Sequence, residues 1–80
     1  MRLEHDKDAD AVYVHLDDAA YDHGVELDPD RRVDFGAHGK PIGIELLNVS
    51  HGVDVRDLPS EAAVAQELEK VGLRILSRSR

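Results

Sequence analysis

Five polar residues whose side chains can bind a ligand or move a proton lie at alternating positions of apolar segments: Tyr13, His15, Glu26, Asp34 and Glu45. Such alternation is typical of strands with one buried and one solvent-facing side, so these residues are expected on one polar face. An imidazole between carboxylates can hold a divalent metal or act as a general base. His15, Glu26 and Asp34 are therefore the candidate metal ligands. The alternative is an ordinary solvated face, which every half-buried antiparallel sheet has.

Short connections between these segments predict which of the polar residues meet. Hairpin pairing sets His15 opposite Glu26 and Glu26 opposite Asp34, and a further hairpin sets Arg32 opposite Glu45. Two directly opposed carboxylates destabilise a sheet unless a cation or a base lies between them. The polar face is therefore a candidate binding face, for a metal ion or for a partner molecule.

Other familiar reaction centres do not accompany this face in the sequence. The serines lack the strand-to-helix elbow of a catalytic nucleophile. The glycines are too sparse for a phosphate-binding loop, and the 5 histidines are not spaced as zinc ligands. By elimination, the sequence predicts a non-enzymatic binding or interaction module that needs no cofactor. Its alternative is a metal-binding or metal-assisted catalytic protein that uses the polar face.

Five short apolar segments separated by polar turns predict an antiparallel β-meander over residues 1–47. Asp28-Pro29-Asp30 and Gly39 mark tight turns, and connections this short favour neighbouring antiparallel strands. The residues expected on the apolar face are Leu3, Val12, Val14, Leu16, Val25, Leu27, Val33, Phe35, Ile42, Ile44 and Leu46.

A helix is predicted over residues 60–71, with Ser60 as its N-cap and Gly72 as its stop. One apolar stripe follows at helical spacing: Val64, Leu68 and Val71. A helix of this length is marginal in isolation, so it needs the apolar face of the sheet. The expected fold class is therefore α+β, an antiparallel meander of about five strands with one C-terminal helix packed on its apolar face.

A chain of 80 residues is expected to form one domain, over residues 1–76. Residues 73–76 are interpreted as a short strand or as an arm to a second subunit, and residues 77–80 as a disordered tail. A core of this size rarely supplies more than ~3–5 kcal/mol of net stability without a staple, and no cysteine is present to form a disulfide. We therefore expect a homodimer, formed through sheet edges or through the 73–76 arm.

The net charge of −7 is unevenly distributed. Residues 1–57 carry 14 acidic against 6 basic residues, or −8, whereas residues 58–80 carry 3 against 4, or +1. An acidic body repels phosphate backbones, which disfavours nucleic-acid binding, and it suits a small basic protein as partner. The basic residues of the C-terminal segment include Arg74, Arg78 and Arg80.

The apolar runs are far shorter than the ~20 residues of a membrane span. The first residues also lack the apolar core of a signal peptide. A cytoplasmic protein without membrane association is expected.

Two phrases and the strands between them resemble a known family. The phrases are Asp10-Ala11-Val12-Tyr13-Val14-His15-Leu16 and Gly43-Ile44-Glu45-Leu46-Leu47, with Val25-Glu26-Leu27 and Val33-Asp34-Phe35 between them. Their order and spacing are similar to those of a small prokaryotic family catalogued as domain of unknown function 2283, over about residues 3–50. The resemblance implies a β-meander, and the family has no established activity or catalytic residues that could be carried over to this chain. Because some members are encoded beside small toxin-like proteins, it also implies an antitoxin-like or other partner-binding role.

Overall fold

The apolar segments with period-2 alternation form strands. The computed structural model, which describes residues 1–79, has these elements in chain order: β1 (Arg2–Asp6), β2 (Ala11–His15), β3 (Tyr21–Asp28), β4 (Arg31–Gly36), β5 (Pro41–Leu47), β6 (Val53–Asp54), α1 (Glu61–Lys70) and β7 (Ile75–Ser77). A 3-10 turn over Val49–His51 joins β5 to β6. Strands β1 to β5 form one antiparallel sheet, and β6 and β7 form a short parallel pair. The predicted α+β class, an antiparallel sheet with one C-terminal helix, is confirmed.

The strand order in the sheet is β1-β2-β5-β4-β3, which departs from the predicted meander at one connection. β3, β4 and β5 follow one another as neighbours, but β2 pairs with β5 rather than with β3. Residues 16–20 cross the end of the sheet, where the N–H groups of Leu16 and Asp17 donate to the carbonyl of Ile42 at 2.9 and 3.2 Å. This Greek-key connection sets the apolar strands β2 and β5 side by side and leaves β3 at an edge.

The core lies between one face of the sheet and the inner side of α1. Its buried residues are Val12, Val14, Val33, Ile44, Leu46, Val49, Val53, Val55, Leu58, Val64, Ala65 and Leu68. Leu3, Leu16 and Phe35 pack against it while partly exposed. Val25 and Leu27 were expected on this face but are 44% and 41% exposed, because β3 lies at the edge of the sheet.

Helix α1 begins one residue after the predicted N-cap. Ser60 has a left-handed backbone, with φ 53° and ψ 41°, and its side chain makes no capping hydrogen bond. A capping serine needs an extended backbone to reach the first free N–H groups. Ser60 therefore lies at the predicted N-cap position but does not make the capping hydrogen bond expected of it. Among the described residues, no helix is both long and apolar enough to cross a lipid bilayer.

The end of α1 matches the predicted stop. Gly72 has φ 83°, its N–H donates to the carbonyl of Glu69, and the N–H of Leu73 donates to that of Leu68, both at 3.0 Å. This pair of bonds is a Schellman motif, which favours glycine at the left-handed position. Val71, the last residue of the predicted apolar stripe, is 45% exposed because it lies at the C-cap, past the last helical turn.

The residues after α1 fold back onto the same chain. β7 pairs with β6, and the N–H of Val53 donates to the carbonyl of Arg74 at 2.8 Å. Leu73 and Ile75 pack against the core. Residues 73–76 therefore pack against the rest of the same chain, as the short-strand interpretation expects.

The segment expected to be a disordered tail is tied to α1 over its described part. Ser77 belongs to β7, the Nη2 of Arg78 donates to Glu69 at 2.9 Å, and the N–H of Ser79 donates to Glu61 at 2.6 Å. Arg80, the last residue of that predicted tail, lies outside the described residues.

Two contacts join the sheet to the segment that follows it. Asp10 accepts hydrogen bonds from the N–H and the hydroxyl of Ser50, at 2.9 and 2.7 Å. Arg31, whose side chain is 12% exposed, donates to the carbonyls of Asp54 and Arg56 at 3.2 and 2.7 Å. Hydrogen bonds from Arg56 lower the pKa of Asp54 to about 2. The contacts of Asp10 and Arg31 hold the segment after β5 on the apolar side of the sheet. The polar side of the sheet is left uncovered by the described residues.

Candidate functional site

The polar residues predicted as a binding face do share one side of the sheet. Residues directly opposite in an antiparallel sheet point to the same side, and the register runs from Tyr13 on β2 through Glu45 on β5 and Arg32 on β4 to Glu26 on β3. Asp34 lies two residues from Arg32 along β4 and therefore faces the same way. This side is opposite to the one that packs against α1.

The predicted pairings within this face hold in one case and fail in two. Arg32 lies opposite Glu45, as predicted. His15 lies opposite Gly43 rather than Glu26, and Glu26 lies opposite Arg32 rather than Asp34. The first difference follows from the strand order, which separates β2 from β3, and the second from a register in which Val25 faces Val33.

A line of hydrogen bonds crosses the centre of the face. The Tyr13 hydroxyl donates to Oδ2 of Asp34 at 2.8 Å, and Nε of Arg32 donates to Oδ1 of the same carboxylate at 3.0 Å. The Nη2 of Arg32 in turn donates to the hydroxyl of Tyr21 at 2.7 Å. We call these four residues the platform. Asp34 is its central acceptor, with a side chain only 14% exposed.

Two strand glycines allow the platform side chains to lie flat on the sheet. A Cβ on Gly43 would collide with the phenol ring end of Tyr13, and a Cβ on Gly24 would collide with the guanidinium of Arg32. Glycine inside a strand weakens it, and it is typical of places where another group approaches the backbone closely. The flat platform therefore depends on both glycines.

His15 extends the line of polar groups to the outer strand β1. Its Nε2 lies 3.0 Å from Oε1 of Glu4, and its ring meets the ring of Tyr13 edge to face at 4.7 Å. Glu4 was not among the predicted site residues, although the β1–β2 hairpin sets it opposite Tyr13. Period-2 counting from Leu3 in β1 is the sequence signal that could have found it.

Glu26 and Glu45 are the exposed carboxylates of the face. Both flank Arg32 in the register, but the guanidinium is directed to Asp34 and Tyr21. Within residues 1–79 neither glutamate makes a side-chain hydrogen bond or an ion pair, and both are exposed to solvent. The face therefore presents two carboxylates beside a rigid platform.

The three predicted metal ligands do not converge on one point. His15 contacts Glu4, Asp34 contacts Tyr13 and Arg32, and Glu26 lies opposite Arg32. Over the described range 1–79, no group of three or more His, Cys, Asp or Glu side chains is arranged to hold a metal ion. The guanidinium beside two of the three predicted ligands would also repel a cation there.

Comparison with known proteins gives one result. The sequence profile of the family described as "Protein of unknown function (DUF2283)" matches residues 2–50, more than half of the chain. The chain belongs to the DUF2283 family. No curated protein and no solved structure gives a significant match.

The DUF2283 region contains all five strands of the sheet and therefore the whole polar face. It ends at Ser50, the residue that binds Asp10 of the β1–β2 turn. Helix α1 and β7, which cover the apolar side, lie beyond it. In this DUF2283 protein the platform thus lies within the family region, and α1 and β7 lie outside it.

Tyr13 is held in its protonated form. Burial is the main cause that raises its pKa to about 12, and the hydrogen bond to Asp34 and the charge of Asp34 add to the rise. The phenol therefore acts as a hydrogen-bond donor at neutral pH and is a poor general base there. Together with the fixed Asp34 and Arg32, it is suited to recognition.

The raised pKa of Tyr13 predicts a specific alkaline titration. The chain has 2 tyrosines, so a Tyr21→Phe variant reports Tyr13 alone in the ultraviolet absorbance of tyrosinate. We expect a midpoint near pH 12 in the folded protein, against about 10 for an unfolded chain. The stabilisation that this proton contributes is fully present below about pH 10 and is lost as the pH rises through about 12.

An Asp34→Asn variant in the same background should titrate at lower pH, because the negative charge that adds to the shift is removed. Far-ultraviolet circular dichroism at each pH identifies the range in which the protein is folded. A midpoint near pH 10 in the folded Tyr21→Phe protein would contradict the half-buried Tyr13–Asp34 hydrogen bond.

Proposed function

We propose that this DUF2283 protein is a non-enzymatic binding module that recognises a basic protein partner through the polar face of its sheet. The observation that carries the proposal is the pair of exposed carboxylates, Glu26 and Glu45. They flank an arginine whose guanidinium is already bound to Asp34 and Tyr21. Both are left to interact with cations from outside the chain.

The platform supports a binding role because its side chains are ordered before a partner arrives. Tyr13, Arg32 and Asp34 are held by mutual hydrogen bonds and by the two strand glycines beneath them. Binding then costs less side-chain entropy than it would for mobile groups. Tyrosine and arginine are also the residue types most enriched among those that dominate protein interfaces.

The charge of the chain supports a basic partner over other classes. The −8 of residues 1–57 would attract a basic protein over a distance and speed its association. A small basic toxin neutralised by this protein would have matching chemistry, and that antitoxin-like role is the specific form of the proposal.

The proposal predicts that removing the two carboxylates removes the partner. A tagged Glu26→Gln/Glu45→Gln variant and the wild-type protein would be used to capture proteins from a lysate of the source cells, with mass spectrometry as the readout. We expect the wild type to recover a small basic protein that is released as the salt concentration rises, since exposed charge pairs are screened. The variant should recover at least about tenfold less, the change that ~1.4 kcal/mol of binding energy produces.

An Asp8→Asn/Asp18→Asn variant is the matched control, because it removes the same charge from two exposed residues outside the strands. Within residues 1–79 neither carboxylate makes a hydrogen bond or an ion pair, as is also true of Glu26 and Glu45. It should recover the partner as the wild type does. Equal recovery by the Glu26/Glu45 variant would refute the assignment of the polar face. Recovery of the chain alone would instead favour the homodimer that the sequence predicts.

A further inference from the structure

Strand β3 lies at an edge of the sheet and has the properties of a docking strand. It pairs with β4 on one side, and no other strand within residues 1–79 pairs with it. The outward N–H and C=O groups of an edge strand are a template for another strand. Three large side chains of β3 are exposed as well: Tyr21 at 55%, Val25 at 44% and Leu27 at 41%.

The charges of β3 disfavour a second copy of this chain as its occupant. The strand contains Asp22, Glu26 and Asp28 and no lysine or arginine. A two-fold antiparallel pairing centred on Gly24 would set Asp22 opposite Glu26, and one centred on Val25 would set Asp22 opposite Asp28. Like charges directly opposed destabilise a sheet, whereas a basic strand would meet them favourably.

The regular part of β3 also predicts the side-chain pattern of an incoming strand. Pairing with β4 is regular from His23 to Glu26, between two register irregularities. Val25 faces Val33 on the core side, and Glu26 faces Arg32 on the polar side. An added strand would therefore place an apolar side chain beside Val25 and a basic one beside Glu26, an alternation with period 2.

We propose that β3 accepts an extended basic segment of the partner as a sixth strand of the sheet, with basic and apolar residues alternating along it. This inference rests on the proposed function, since the segment belongs to the same basic partner, and it adds the place and mode of docking. Backbone hydrogen bonds to the edge supply affinity in this mode, and the alternating side chains supply specificity. The exposed carboxylate of Glu26 belongs both to this edge and to the polar face.

The probe for the test is a short synthetic peptide that alternates lysine with valine. Two control peptides are matched to it: one with N-methyl groups on the backbone at alternate residues, and one with glutamate in place of lysine. At a concentration about ten times its Kd, the first peptide should slow hydrogen exchange of the β3 amides about tenfold. The N-methylated peptide keeps the charge but loses strand hydrogen bonds, so neither it nor the acidic peptide should slow exchange there.

Two valine variants test the same edge with the natural partner. Val25 and Val71 are 44% and 45% exposed, so a lysine side chain at either position can reach solvent without disturbing the core. Val25→Lys places a cation on the docking edge and should lower peptide binding and partner capture at least about tenfold, or ~1.4 kcal/mol. Val71→Lys makes the same change at the end of α1 and should leave both unchanged.

Several results would overturn the inference. Equal protection of the β3 amides by the N-methylated peptide would overturn it, and so would the absence of protection by any peptide. Protection that rises with protein concentration alone would identify a second copy as the occupant. If Val25→Lys keeps the partner while Glu26→Gln/Glu45→Gln loses it, the docking mode is wrong and the proposed function stands. If the Glu26/Glu45 variant keeps the partner, the proposed function itself fails.

Discussion

Leu68→Ala is expected to lower the free energy of unfolding by ~2–5 kcal/mol, the usual cost of truncating a buried leucine. Leu68 is fully buried on the inner side of α1, where it joins the core with the central residues of the sheet. A helix of 10 residues is marginal in isolation, so its stability depends on this contact. In a domain of this size the melting temperature should fall by roughly 8 °C or more. Thermal and urea unfolding followed by circular dichroism measure both quantities.

Val71→Ala is the control on the same helix. Val71 belongs to the stripe predicted from helical spacing but is 45% exposed at the C-cap. Its truncation should change the free energy of unfolding by less than ~0.5 kcal/mol, as is usual for surface positions. Equal losses at the two sites, or no loss at Leu68, would show that α1 does not pack on the sheet as described.

The contrast between Leu68 and Val71 also shows how far a sequence pattern can predict burial. Helical spacing places both residues on one stripe, because periodicity is a local property. Which part of the stripe is covered depends on where the helix ends, and here the left-handed Gly72 ends it beside Val71. Gly72 was predictable from its residue type, but its effect on the exposure of Val71 was not.

Strand positions and the sheet face of each residue could be predicted for the same local reason. Alternation placed Tyr13, His15, Glu26, Asp34 and Glu45 on one side without any knowledge of strand order. The strand order itself depends on a choice between distant strands that the length of a connection does not determine. Residues 16–20 are enough to cross the end of the sheet, so β2 reaches β5 and β3 becomes an edge. Because β2 pairs with β5, the predicted pairing of His15 with Glu26 and the predicted hairpin between β2 and β3 were both wrong.

The sequence predicted which residues lie on the polar face better than it predicted which of them are in contact. Which acceptor Tyr13 binds depends on rotamers and on what lies beneath the ring, and the sequence shows this only as a glycine inside each of two strands. Gly24 and Gly43 both fall at polar-face positions, where a side chain would otherwise be expected. Such glycines indicate a close approach, but the sequence does not say which neighbour lies over them.

Gly43→Ala is expected to lower the free energy of unfolding by ~1–3 kcal/mol, the range for an added methyl group in a site without room. The new Cβ would collide with the phenol end of Tyr13, which must then move away from Asp34. Movement of the ring should also lower the pKa of Tyr13 from about 12 toward its ordinary value, because its burial, the largest cause of the rise, and its interaction with Asp34 would both decrease. Urea unfolding and the tyrosinate titration in a Tyr21→Phe background measure the two effects.

A double-mutant cycle separates this collision from a general effect of alanine in β5. In a Tyr13→Ala background the three atoms nearest to a new Cβ on Gly43 are absent. Gly43→Ala should therefore cost much less there, and reduced backbone freedom in the unfolded chain offsets part of any cost by ~0.5–1 kcal/mol. Gly24→Ala should cost less than Gly43→Ala, since the Arg32 guanidinium above Gly24 can give up its hydrogen bonds to Asp34 and Tyr21 and turn to solvent. An equal cost of Gly43→Ala with and without Tyr13 would mean that the ring does not lie over Gly43, and the flat platform would then be wrong.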